Sequence, residues 1–143
     1  MSFPRSAPSL TIPSGSRPSI LVAEDDAPFR DLLVRAFEQA GCDVIAIAHG
    51  GEFIDYLAKA RRGVGSCRMP RVIVTDIRMP GLSGLDVLHG LRVAQFPAAV
   101  IVITAFGSPE TREQALALGA HAVFDKPFEI DDLVESVRAL TES

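Results

Sequence analysis

Three short, uninterrupted apolar runs constrain this chain more than anything else in it: Ser19-Ile20-Leu21-Val22-Ala23, Arg71-Val72-Ile73-Val74-Thr75 and Ala99-Val100-Ile101-Val102-Ile103. A strand with one wet face alternates apolar and polar residues, whereas a strand covered on both faces is apolar throughout. Residues 43–47 and 121–124 add two weaker runs. Such strands need helices above and below, and the intervening sequence supplies them. Across residues 27–40, Phe29, Leu32, Leu33, Ala36, Phe37 and Ala40 recur at helical spacing, with Gly41 where a left-handed C-terminal cap is wanted. Phe53, Ile54 and Leu57 mark a second helix, Ser83 is placed to cap a third running through Leu91, and Ser108-Pro109 opens a fourth that closes at Gly119. Ile130, Leu133, Val134, Val137 and Leu140 form the stripe of a fifth, with Asp131 and Asp132 near its positive end and Arg138 near its negative end. Repeated strand–helix units predict a doubly wound parallel α/β sheet with right-handed crossovers and helices on two faces.

A length of 143 residues, 48% of them apolar, suits one core and is too short for two ordinary domains. Residues 1–18 are rich in Pro and Ser and lack periodicity, so a flexible tail is expected there and one domain over residues 19–143. With 18 acidic against 14 basic side chains, the chain has no electrostatic footprint for nucleic acid and no polybasic membrane anchor. No continuous apolar region of signal-peptide or membrane-span length occurs, and a cytoplasmic protein is expected. Cys42 and Cys67 have neither metal-ligand spacing nor a disulfide framework and are read as core or loop filler. The segment 62–70 reads as a solvated Gly, Arg and Pro loop.

In a doubly wound sheet, ligands collect outside the carboxyl ends of the strands. The residues there are Glu24, Asp25 and Asp26 after the first run, Asp76 after the third, Thr104 after the fourth and Lys126 after the fifth. A single carboxylate in such a place is unremarkable, because Asp favours turns and helix caps. Several converging carboxylates repel one another unless a cation or proton intervenes, and an all-oxygen ligand set suits Mg²⁺ or Mn²⁺. Lys126 can orient Asp76 and hold a phosphoryl oxygen, and Thr104 offers a hydroxyl to the same group. An Asp carboxylate is a recognised nucleophile for phosphoryl transfer.

The ordered motifs ILVAEDD at 20–26, VIVTDIRMPG at 72–81, VIVITA at 100–105 and DKPF at 125–128 closely resemble the response-regulator receiver family from about Ser19 to the C-terminus. The resemblance implies a flavodoxin-like sheet of strand order 2-1-3-4-5 with five helices. It implies Asp76 as phosphoacceptor, Asp25 as a direct metal ligand, Glu24 as the outer carboxylate reaching the metal through water, and the Arg78 carbonyl as the last protein ligand. Asp26 is then a first-turn helix charge, and Met79-Pro80-Gly81 shapes the turn that presents the carbonyl. A cis Lys126-Pro127 bond is also implied. His49, His89 and His121 are scattered and are read as surface or packing residues.

One position departs from the family pattern. Many members carry, three residues before the Lys, an aromatic that swings inward when the Thr hydroxyl moves; here that residue is Val123, and Phe124 should point to the opposite face of the strand. The readout is then expected to run through other side chains, with Thr104 still able to reshape residues 105–108. The expected function is a switch: a sensor histidine kinase or phosphotransfer protein phosphorylates Asp76, and a contact with an output protein changes on the face of the fourth helix, fifth strand and fifth helix. Because the sequence stops soon after the last helix, a stand-alone receiver is the first expectation. The alternative is the regulatory portion of a longer DNA-binding or enzymatic protein. A metal-dependent phosphatase with an Asp nucleophile commonly places a second Asp two residues on, where Arg78 stands here, so turnover of external substrates is not expected. A degenerate receiver that is never phosphorylated is opposed by the intact Asp76, Thr104, Lys126 and acidic pair.

Overall fold

The computed structural model describes residues 17–65, 67–79, 82–105 and 108–142. The strands are β1 (Ser19–Ala23), β2 (Asp43–Ile47), β3 (Val72–Asp76), β4 (Arg78–Met79), β5 (Leu82–Ser83), β6 (Ala99–Thr104) and β7 (Ala122–Asp125). Between and after them run α1 (Ala27–Gln39), α2 (Gly50–Arg62), α3 (Gly84–Val93), α4 (Pro109–Ala117) and α5 (Ile130–Thr141). Five strands form one parallel sheet in the order β2-β1-β3-β6-β7. Numbered among themselves along the chain, those five have the expected order 2-1-3-4-5. The remaining pair, β4 and β5, is a two-stranded antiparallel ribbon absent from the sequence reading; it flanks residues 80–81, which lie outside the described residues.

Burial on both faces explains the apolar runs: every residue of β1 and β3 is buried. On one face Leu21, Ile73, Val102 and Val123 meet Phe53 and Leu57 of α2, Val87, Leu88 and Leu91 of α3 and Ala115 of α4. On the other, Ile20, Val22, Val72, Val74, Ile101 and Ile103 meet Leu33 and Phe37 of α1 and Leu133 and Val137 of α5. Each such large side chain taken from water stabilises the fold by roughly 1.5 to 3 kcal/mol. Cys42 fills the second cluster, as a small hydrophobe should.

The helices begin where their caps dictate. Asp26 accepts from Phe29 N, Ser83 from Leu85 N and Ser108 from Thr111 N, satisfying amides that have no partner in a first turn. Asp26 is thus the N-cap of α1 rather than a charge within its first turn. Gly41 follows α1 with φ at 93°, the conformation expected of a C-terminal glycine. Two strand boundaries moved by one residue: Asp76 and Thr104 end β3 and β6 rather than following them, because parallel pairing continues to Asp76 opposite Ile103 and Thr104 opposite Asp125. The expected tail over residues 1–18 lies outside the described residues except at its end, where Arg17 and Pro18 are tied in. Pro18 O accepts from Asp43 N at 2.9 Å, and Arg17 O accepts from Arg68 Nη2 at 2.7 Å. Arg68 also reaches Asp43 at 2.7 Å, and the Tyr56 hydroxyl bridges its backbone N–H and carbonyl. The part of the 62–70 segment around Arg68 is therefore bound to the domain, not merely solvated.

Candidate functional site

Parallel strands all present their carboxyl ends at one edge, and the residues singled out there converge. Glu24 N donates to Ile47 O at 3.0 Å, so the ladder continues one step past β1 and the Glu24 side chain turns inward, leaving it 1% exposed. The next residue, Asp25, faces out and is exposed. One oxygen from each of Glu24, Asp25 and Asp76 lies within 4.8 Å of the others. The Lys126 ammonium is 3.5 Å from both Glu24 Oε1 and Asp76 Oδ2, bridging the two buried carboxylates. Thr104 is 1% exposed, and its carbonyl accepts from Lys126 N at 2.8 Å, which registers the Lys126 backbone against β6. The Lys126-Pro127 bond is cis, as the resemblance implied.

Asp76 is held at both oxygens: Oδ1 accepts from Arg78 N at 3.0 Å and Oδ2 faces the ammonium. It keeps 9% exposure and borders a cavity of about 170 Å³ with Ile77, Arg78, Thr104 and Ala105. The nucleophile candidate is thus fixed in place without being sealed off. Pro80, Gly81, Phe106 and Gly107, which belong to the loops named for the turn and the switch, are outside the described residues.

The cluster's electrostatics centre on Glu24. Its pKa is pushed up from 4.5 to about 7, chiefly by burial, with Asp76 adding repulsion; the Asp26 amide, 3.1 Å from Oε2, and Lys126 oppose the rise. Three oxygen donors and no nitrogen or sulfur fit a hard divalent cation such as Mg²⁺.

Three supporting residues escaped the sequence reading. Arg30 Nη1 donates to Glu24 O at 2.8 Å, pinning the turn between β1 and α1. Gly84 donates to Ile77 O at 2.7 Å, and a Cβ there would lie 2.7 Å from Ile77 Cα, so only glycine lets α3 start against the chain leaving Asp76. Phe29, read as part of an apolar stripe, lies beneath Lys126 with its ring centroid 4.5 Å from the ammonium. No local signal marks the first two; a glycine directly after a capping serine is the nearest thing to one. His49, His89 and His121 are all exposed and outside the cluster.

A five-stranded doubly wound sheet with three carboxylates, a hydroxyl and an ammonium at its switch-point edge defines a flavodoxin-like α/β domain. The chain belongs to the response regulator receiver domain family, whose profile matches residues 20–138. It is 29% identical over 119 residues to the sporulation initiation phosphotransferase F of Bacillus subtilis, spanning 83% of this chain and 90% of that one. To the transcriptional regulatory protein FixJ of Bradyrhizobium diazoefficiens it is 32% identical over 120 residues, covering 84% of this chain but 55% of the relative. Among solved structures, the receiver domain of the Francisella response regulator 1452 superposes with a TM-score of 0.78 at 31% identity, over 88% of this chain and 98% of that one. The chain is a receiver domain of the two-component response-regulator kind. Among the described residues, no helix is long and apolar enough to cross a membrane.

Proposed function

We propose that this domain is a cytoplasmic phosphorylation switch in which Asp76 takes a phosphoryl group from a sensor histidine kinase or phosphotransfer protein. The observation that carries the reading is the convergence of Asp76, Glu24, Asp25 and Lys126 at one sheet edge, with Asp76 bordering a cavity. An Asp76 oxygen forms the new bond to phosphorus as the bond from phosphorus to the donor imidazole breaks, and the imidazole leaves with a proton. Lys126 balances the charge of the transferred oxygens, and Thr104 donates its hydroxyl to one of them. Glu24, Asp25, Asp76 and the carbonyl of Arg78 would hold Mg²⁺, or Mn²⁺ in its place, with Glu24 acting through water. When bound, that ion supplies the positive charge that lets the donor's anionic phosphoryl group approach three carboxylates. The Arg78 amide and the ammonium fix Asp76 before the donor arrives, which is most of what such chemistry asks of a protein.

Arg78, two residues past the nucleophile, provides no acid or base for turnover of external substrates, so the product is a modified protein whose contact with an output partner changes. The face proposed for that contact is α4, β7 and α5, without direct contact to nucleic acid or membrane. A second reading is favoured by the 55% coverage of FixJ: the domain as regulatory part of a longer DNA-binding or enzymatic protein. The test is mass spectrometry after incubation with Mg²⁺ and a small phosphodonor. A labile gain of one phosphoryl group, lost in Asp76→Asn, is expected; a gain that survives the substitution refutes the assignment.

A further inference from the structure

A third side chain faces the Lys126 ammonium, and it is neither acidic nor polar. The ammonium lies 4.5 Å from the centre of the Phe29 ring, while both its carboxylate contacts are 3.5 Å long. Well-formed charge-assisted bonds are about 2.7 to 2.9 Å, so these two contacts alone specify the ammonium's position loosely. The ring face, negative at its centre, adds an attraction with a defined direction.

Phe29 is itself fixed. Its amide donates to the Asp26 carboxylate at 3.2 Å in the first turn of α1. Its ring meets Phe128 edge-on, with centroids 6.1 Å apart and planes at 77°, and Phe128 packs on Phe124 at 5.4 Å. The helix cap thus anchors the backbone that carries the ring, Phe128 packs against the ring itself, and the ring faces the ammonium that stands opposite Asp76.

We infer that Phe29 is a positioning residue for phosphoryl acceptance, whose ring holds the Lys126 ammonium between Glu24 and Asp76 and links it to Phe128 and Phe124. The inference rests on the reading of Asp76 as phosphoacceptor. Val123, at the place where an aromatic would respond to the phosphoryl group, is aliphatic and buried in the core on the other face of the sheet. The aromatic rings near this site belong instead to the α1 and α5 side, where Phe29, Phe124 and Phe128 pack. Phe124 lies in β7 and Phe128 just before α5, two elements of the proposed output face. As phosphoryl oxygens on Asp76 draw the ammonium toward them, its contact with the Phe29 ring changes, and the change passes along this aromatic line.

The test uses the full chain with Phe29→Leu and Phe29→Tyr. In the unphosphorylated wild type, the proton resonance of the Lys126 ε-methylene is expected upfield of its free-lysine position through the ring current, in Phe29→Tyr likewise, and in Phe29→Leu not. The initial rate of phosphoryl gain from a small phosphodonor is expected to fall about fivefold in Phe29→Leu and to recover in Phe29→Tyr. Mg²⁺ affinity, measured separately, is expected to be the same in all three, since the residue 29 side chain offers neither charge nor a carboxylate to the cation. A wild type without the upfield shift, a Leu variant at the wild-type rate, a Tyr variant as slow as Leu, or an Mg²⁺ affinity that falls with the rate each overturns the inference. Phe29→Met, similar in bulk, repeats the test should the Leu variant not fold. A wild type that gains no phosphoryl group overturns the reading of Asp76 and the inference together; one that is phosphorylated while the Leu variant keeps pace overturns the inference alone.

Discussion

Replacing Glu24 with Gln separates the stability of this domain from its ability to hold a cation. Burial pushes the Glu24 carboxyl up from 4.5 to about 7. Because the folded value is the higher one, the group's contribution to stability is whole below about pH 4.5 and is lost as pH rises through about 7. At 1.36 kcal/mol per pH unit, the ionised form costs the metal-free domain about 3 kcal/mol above that range. Gln keeps the neutral shape at every pH, and its carbonyl can still accept from Asp26 N. In urea titrations with chelator present, Glu24→Gln is therefore expected to match the wild type near about pH 4 and to exceed it by about 3 kcal/mol near about pH 8. Added Mg²⁺ should reverse the order, stabilising the wild type in proportion to the logarithm of its concentration over Kd and the variant much less. A wild-type stability that is flat from about pH 5 to about pH 8, or a Gln variant no more stable at the upper end, refutes the reasoning.

Lys126→Ala removes the ammonium and is expected to slow phosphoryl gain about tenfold or more, the scale of one charge-assisted bond, without abolishing it. Chemical-shift changes on α4, β7 and α5 after phosphorylation should disappear in that variant; a full set of changes refutes the coupling role. Gly84→Ala forces a Cβ to 2.7 Å from Ile77 Cα, so a loss of roughly 1 to 3 kcal/mol by chemical denaturation and a weaker Mg²⁺ affinity are expected. Gly51→Ala, where a Cβ would meet nothing within 4 Å, is the matched control and should not destabilise.

The parallel sheet was legible because double-sided burial leaves a mark that few other structures leave, an apolar run of strand length bounded by polar residues. The site was legible for the same reason, since fixing where each strand ends fixes which residues share an edge. What escaped was set by contacts between distant segments. The ribbon of β4 and β5 has two residues per strand and so no periodicity to detect. The tie from Tyr56 to Arg68 joins residues 12 apart across a helix end and a loop. Which acidic residue of the pair would be buried was also not readable, because it follows from the Glu24 amide reaching Ile47 and turning that one side chain inward. Phe29 carried the signature of a core residue, and half of its surroundings are indeed core. Its other neighbour, Lys126, comes from a different end of the chain.

The Lys126 contacts span 50 residues to Asp76 and 102 to Glu24, and the strand that carries Asp76 lies in the middle of the sheet. No hairpin holds this arrangement: the pairing of β1 with β3 brings Glu24, Asp25 and Asp76 together, and the ammonium joins them only once β7 has docked on β6. Labelling of Asp76 would then run at its full rate only on molecules whose last strand has docked, and the initial rate of labelling could serve to compare how completely two preparations are assembled.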